Sequence, residues 1–172
     1  GIVDEFNCNK ANITVINNGI DTNEFSPVNE VTRNEFRLIT TASADVPLKG
    51  LDFSLKALKK LKKDFPNMHL IVIGLIKKGG HTEKLIKKLD LENDVTFKSN
   101  LTKNEIKDCY SKSSIAIVSS LYEGFGYPVI EAMSCEVPLI ATNVSSIPEL
   151  TSEFAKLVDP KNEEMIYQSV KD

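Results

Sequence analysis

Short continuous apolar runs alternate along this chain with longer segments whose apolar residues return every three or four positions. Residues 68–74, Met-His-Leu-Ile-Val-Ile-Gly, make one such run. A run of that length without polar alternation is the pattern of a parallel strand covered on both faces. Residues 36–42 and 114–119 repeat it, and shorter runs at 13–16, 95–97, 138–142 and 154–158 predict further strands. Between them, residues 49–64 place Leu51, Leu55, Leu58 and Leu61 on one helical face, and Pro66 stops that helix. Helices are predicted likewise over 82–90, 102–111, 129–135 and 163–171. Thr102 with Glu105 fits a capping box at the start of one of them. The polar segment 17–34 reads as loop. Strands alternating with helices predict an α/β fold, a doubly wound, mostly parallel sheet with helices on both faces. No linker or repeat divides it, so residues 1–172 are expected to form a single domain.

Composition narrows the function classes. The chain is 41% hydrophobic and 26% charged, ordinary for a globular protein, and its net charge of −3 gives no basic field for nucleic acid. Lysine pairs such as Lys59-Lys60 and Lys87-Lys88 fall on helices and are expected to be solvated surface. No apolar run approaches the ~18 residues of a membrane-spanning helix. The chain opens at Gly1 without an initiator methionine, which gives the expectation of a fragment of a longer protein. Cys8, Cys109 and Cys135 are odd in number and widely spaced, which suits neither a disulfide framework nor a zinc site. Cys109 and Cys135 are expected to pack as small apolar groups in a reducing, cytoplasmic compartment. The sequons at Asn12, Asn100 and Asn143 are read as chance matches in an asparagine-rich chain.

In an open α/β sheet, ligands bind outside the carboxyl ends of the strands. That rule gathers the loops 43–49, 74–80, 98–101, 119–128 and 142–146. The most distinctive of them holds Glu123 and Glu131 with Gly-Phe-Gly-Tyr-Pro-Val-Ile between them. Gly124, Phe125 and Gly126 make a turn, and Tyr127, Pro128 and Val129 begin a helix. A glycine turn leading into a helix N-terminus presents free backbone N–H groups to an anion such as phosphate. Glu131, about a turn into that helix, would repel a phosphate but suits paired hydroxyls, as in a ribose. Glu123, at the strand end, can accept from a sugar hydroxyl or stabilise positive charge. Together these groups describe a nucleotide-sugar site. Neither His69, within a strand pattern, nor His81, at a lysine-rich helix start, looks catalytic, and the absence of an Asp-x-Asp element argues against a metal; no other cofactor is expected.

The string Glu123-Gly124-Phe125-Gly126, Pro128, Glu131-Ala132-Met133 resembles the E-x7-E element of retaining glycosyltransferases of the GT-B fold, glycosyltransferase family 4. Further matches are Pro138-Leu139-Ile140-Ala141-Thr142, Pro148-Glu149, Lys49-Gly50, Asn18-Gly19-Ile20-Asp21 with Phe25, and the strand ending Ile73-Gly74. The resemblance covers nearly the whole chain. It implies the Rossmann-like C-terminal domain of such an enzyme, which binds a UDP- or GDP-sugar donor, and an N-terminal acceptor domain that is absent here. Membrane association would come only through that other part. It places Lys49 against the donor diphosphate, Glu131 on the ribose and Glu123 beside the hexose, with Lys49 and Glu123 in the catalytic role. It also places the backbone around residues 97–100, including Ser99, near the nucleobase.

Three positions depart from the family pattern. Six residues before Lys49, where an arginine often makes a second diphosphate contact, stands Ser43. Where a glycine usually follows the E-A-M helix stands Glu136, so that turn is expected to be made differently. Where a glycine usually follows the V-x-F strand stands Ser99. The exchange at Ser43 leaves a second reading open, a degenerate nucleotide-binding or protein-interaction domain without transferase activity.

Overall fold

The computed structural model describes residues 5–7, 9–14, 16, 18–28, 31–43 and 45–172. Six strands form one sheet in the order β3-β2-β1-β4-β5-β6: β1 Asn34–Thr41, β2 His69–Ile73, β3 Val95–Lys98, β4 Ser113–Val118, β5 Leu139–Thr142 and β6 Lys156–Val158. Every pairing is parallel. Among the described residues five α-helices join them and a sixth follows β6: α1 Leu51–Asp64, α2 His81–Lys88, α3 Lys103–Ser111, α4 Tyr127–Ser134, α5 Ile147–Thr151 and α6 Glu163–Lys171. The doubly wound α/β sheet that the alternating pattern predicts is therefore formed.

Adjacent residues of each central strand feed opposite faces, because strand side chains alternate. Leu38, Leu70, Val72, Ile117 and Ile140 face one way and pack with Leu55, Leu58 and Leu61 of α1, Ile86 of α2 and Ile166 of α6. Ile39, Ile71, Ala116, Val118 and Ala141 face the other way and pack with Cys109 and Tyr110 of α3, Val129 and Ala132 of α4, and Ile147 of α5. The leucine stripe of α1 is thus the buried stripe predicted from its spacing, and Thr102 closes the predicted capping box with Glu105. Cys109 and Cys135 are free and buried as expected, while Cys8 lies outside the described residues. Burial pushes the Cys135 thiol up to about 11, with the Glu131 charge adding to it, so it stays protonated. The helix lysines are surface groups, Lys59 pairing with Asp90 and Lys87 with Glu83.

Two expectations are corrected. Ile13, Thr14 and Ile16 form no strand (Val15 lies outside the described residues), and Ile16 is 86% exposed. A β-branched run becomes a strand only where a neighbour can complete its ladder, and none lies alongside it among the described residues. The turn after α4 is not rerouted by the missing glycine. Glu136 itself takes the left-handed conformation, φ 55°, and Val137 N–H closes the turn onto the Ala132 carbonyl. Glycine suits that conformation better, so Glu136→Gly is expected to raise stability by about 0.5–1 kcal/mol in urea unfolding. After β3 the left-handed residue is Asn100, φ 56°, one position beyond Ser99. No helix among the described residues is long and apolar enough to cross a membrane.

Candidate active site

The strand order fixes where a ligand can sit. The chain steps outward from β1 to β2 to β3 and then returns to place β4 on the other side of β1. The loops leaving β1 and β4 therefore diverge, and the crevice between them is the switch point of the sheet. After β1, a short 3-10 turn, Pro47–Lys49, leads into α1 through Gly50. After β4, Ser119 and Ser120 lead to Glu123 and the glycine turn.

The two loops are fastened to each other. Leu121 N–H donates to the Leu48 carbonyl at 2.7 Å, and Ser119 Oγ donates to the Gly50 carbonyl at 2.9 Å. Ser54 Oγ of α1 meets Ser119 Oγ at 2.8 Å. Gly50 sits at φ 62°, and a Cβ there would lie 1.9 Å from the Ser119 carbonyl oxygen. The K-G pair of the sequence is therefore a lysine followed by the one residue type that lets the loops close.

That closure brings Lys49 Nζ to 2.6 Å from Glu123 Oε1, joining residues 74 apart in sequence. Ser120 Oγ donates to the same oxygen at 2.8 Å. Glu123 is 8% exposed and Lys49 31%, so the carboxylate is buried and its partner reaches solvent. A lysine beside a helix N-terminus opposes the helix dipole; Glu123 supplies a counter-charge.

Glu123 is followed by backbone donors without partners. The N–H groups of Gly124, Phe125, Gly126 and Tyr127 meet no acceptor among the described residues, and no side chain caps α4. Gly126, at φ 105°, turns the chain into α4, and Pro128 occupies the first turn, where its missing N–H costs nothing. Ser146 Oγ holds the turn from beneath by donating to the Phe125 carbonyl at 2.7 Å, and the Phe125 and Tyr127 rings meet edge to face at 5.2 Å. Val129 is fully buried and anchors the helix in the core. Successive free amides at a helix N-terminus form an anion-binding concavity.

Two cavities flank this centre. One, about 320 Å³, is lined by Glu131 and Tyr127 of α4, Lys103 and Ile106 of α3, and the segment from Gly19 to Phe25. Asp21 turns that segment, accepting from Asn23 N–H, and the buried Phe25 pins it to the core beside Ile39 and Ile71. Lys103 pairs with Glu24 at 2.5 Å at its edge. Burial raises the Glu131 pKa, while a hydrogen bond from Tyr110 opposes the shift. The other cavity, about 350 Å³, is lined by Ser43, Asp45, Pro47, Gly50, Asp52, Phe53 and His81 among others. His81 Nε2 lies 2.7 Å from Asp52 Oδ2, and Asp45 caps α2 by accepting from Thr82 N–H at 2.8 Å. That bond holds the Asp45 carboxyl below its ordinary range. The lining of that cavity includes Ser43 but no lysine or arginine among the described residues.

The structure thus brings Lys49, Glu123, Gly124, Phe125, Gly126, Tyr127 and Pro128 to one place, with Glu131 and Ser43 in cavities on either side. Ser99 is exposed in the β3–α3 loop and lines neither cavity, and His69 lies on the sheet, bonded to Thr96 at 2.9 Å. Sequence reasoning missed Glu24, Lys103 and Ile106. Lys103 reads as one more helix lysine, and only the turn built on Asp21 shows which face of α3 it completes. Among the described residues no group of three or more His, Cys, Asp or Glu could hold a metal ion.

Residues 22–172 match the family model described as glycosyl transferases group 1. The chain is 35% identical over 162 residues to the MMP alpha-(1->4)-mannosyltransferase of Mycolicibacterium hassiacum, covering 92% of this chain and 39% of that protein. It is 29% identical over 170 residues to the O-antigen chain mannosyltransferase RfbU of Salmonella typhimurium, covering 99% and 46%. The chain therefore spans less than half the length of these relatives. Among solved structures it matches the C-terminal domain of the glycosyl transferase group 1 family protein LpcC from Francisella tularensis at 26% identity, TM-score 0.75, covering 89% of this chain and 86% of that one. The GT-B C-terminal fold, the switch-point site and the family match agree, and the chain belongs to the glycosyl transferases group 1 family.

Proposed function

We propose that these 172 residues are the donor-binding half of a retaining glycosyltransferase that moves a hexose from a nucleoside diphosphate sugar to an acceptor. The observation that carries this reading is the Lys49–Glu123 pair beside four unpartnered amides at the switch point. The donor diphosphate lies on the amides of Gly124, Phe125, Gly126 and Tyr127. Lys49, which has three donors, keeps Glu123 and takes a phosphate oxygen. Both act on the charge that develops as the diphosphate departs, from groups already oriented before reaction. Glu123 holds the hexose, and Glu131 accepts from the ribose hydroxyls in the 320 Å³ cavity. Both relatives bear the name mannosyltransferase, which favours a hexose donor.

The acceptor belongs to a further domain of the parent protein. The isolated chain is expected to bind nucleotide without turnover, and the parent to work in the cytoplasm, with any membrane contact made by the other part. Because Lys49 and the amides neutralise the diphosphate, the reading assigns no cofactor or metal to transfer, and chelation with EDTA should leave the rate unchanged. Retention is read from the anomeric configuration of the product.

Calorimetry of the 172-residue chain with UDP and GDP tests the site. One of them should bind in the micromolar-to-millimolar range, and Glu131→Gln should weaken binding by about tenfold. Burial raises the Glu131 pKa, so the folded state holds that proton more tightly than the unfolded chain. The associated stability is lost as pH rises through the raised value. Glu131→Gln, which carries no charge to bury, should therefore raise Tm at pH 7 while it weakens nucleotide binding. If neither nucleotide binds at millimolar concentration, the second reading takes over. Ser43 motivates it: the domain would then be a degenerate interaction module.

A further inference from the structure

We infer that Tyr110 is the positioning residue for Glu131, holding one carboxylate oxygen so that the other is presented to the ligand. The inference rests on the reading of Glu131 as the ribose acceptor. Tyr110 lies on α3, 1% exposed, with its hydroxyl 3.2 Å from Glu131 Oε2, 3.1 Å from Thr41 Oγ1 and 3.4 Å from the Pro128 carbonyl. The hydroxyl has a single proton, and two of its three neighbours, the carboxylate and the carbonyl, can only accept. Tyr110 therefore spends its proton on these acceptors, the charged carboxylate first, and Thr41, the one neighbour of the three with a proton to give, donates to Tyr110. Burial and the Glu131 charge push the Tyr110 pKa well up, so the proton stays in place. Glu131 Oε1 meets no partner among the described residues, and Glu131 lines the 320 Å³ cavity.

The three anchors come from separate parts of the fold. Thr41 ends β1, Pro128 lies in the first turn of α4, and Tyr110 is near the end of the helix whose first turns supply Lys103 and Ile106 to the same cavity. One buried hydroxyl thus ties the switch-point strand to both helices that line the cavity. A half-buried carboxylate left to itself would adopt several rotamers; held at one oxygen, it presents the other in one place. The free oxygen is what discriminates a ligand with ribose hydroxyls from one without.

The test compares UDP and GDP with their 2′,3′-dideoxy counterparts by calorimetry on the wild-type chain, Glu131→Gln, Tyr110→Phe and Thr41→Val. The wild type should prefer the ribonucleotide by about tenfold or more, the scale of a hydrogen bond to a charged group. Glu131→Gln should lose most of that preference. Tyr110→Phe, which keeps the ring in the core, should cut the preference to about threefold while leaving dideoxynucleotide affinity within about twofold. Thr41→Val, which acts only through Tyr110, should fall between the wild type and Tyr110→Phe. If the wild type shows no preference, or binds neither nucleotide, the ribose reading of Glu131 fails and this inference fails with it. If Glu131→Gln loses the preference and Tyr110→Phe keeps it, the ribose reading stands and this inference is overturned. A Tyr110→Phe chain that weakens both nucleotides equally also overturns it, because a purely structural role cannot distinguish a ribose from a dideoxyribose.

Discussion

Gly50→Ala is expected to lower the stability of the domain by about 3 kcal/mol and to abolish nucleotide binding. Two effects combine. An alanine at φ 62° adopts the left-handed conformation, and its Cβ would lie 1.9 Å from the Ser119 carbonyl oxygen, a backbone atom that cannot swing aside. The loops after β1 and β4 must then part, breaking the Leu121–Leu48 and Ser119–Gly50 bonds and pulling Lys49 off Glu123. For a chain of this length the loss corresponds to a fall in Tm of about 10 °C. Urea unfolding with calorimetry measures both effects. A Gly50→Ala chain with unchanged midpoint and unchanged nucleotide affinity would show that the loops are not fastened as described.

Lys49→Met is expected to weaken nucleoside diphosphate binding at least tenfold and, in the parent enzyme, to reduce transfer by about a hundredfold. On the proposed donor geometry it takes a side-chain cation from the diphosphate, and it also strands Glu123, which is 8% exposed, with Ser120 as its only side-chain donor among the described residues. Stranding a fully buried charge costs about 3–5 kcal/mol, but Lys49 is 31% exposed and water reaches the pair, so about 1–2 kcal/mol is expected here. The double variant Lys49→Met with Glu123→Gln separates the two losses. Its neutral amide needs no counter-ion, so stability should return while binding stays weak. Were the double variant to recover binding as well, Lys49 would be a structural partner of Glu123 and not a ligand of the donor.

The elements that sequence made legible are those whose signal is local. The leucine stripe of α1, the capping box of Thr102 and Glu105, and the apolar run of β2 each specify their own structure within a few residues. The glycine turn was legible for the same reason, since Gly126 states in the chain the positive φ that the structure shows. What stayed hidden depends on partners far along the chain. Helix α5 has five residues and a proline in its first turn, too short for an apolar period to appear. The Lys49–Glu123 bond is invisible because nothing near Lys49 names its partner. Glu136 misled because the missing glycine was taken to require a turn made differently, whereas the glutamate itself adopts the left-handed conformation. The run around Ile16 misled in the opposite sense, since strand propensity without a neighbouring strand has nothing to pair with.

The crevice between β1 and β4 also orders events in time. Its two walls are contributed by residues 74 apart, and β1 meets β4 only after the chain has traversed β2 and β3. Closing so long a loop is slow and is rewarded only when both strands are in register. On refolding, β1, β2 and β3 with the helices between them can gather by short-range steps, but ligand affinity must wait for the central pairing. Nucleotide binding would then be a clock for the last step of assembly, returning with the slowest refolding phase while helical signal returns earlier.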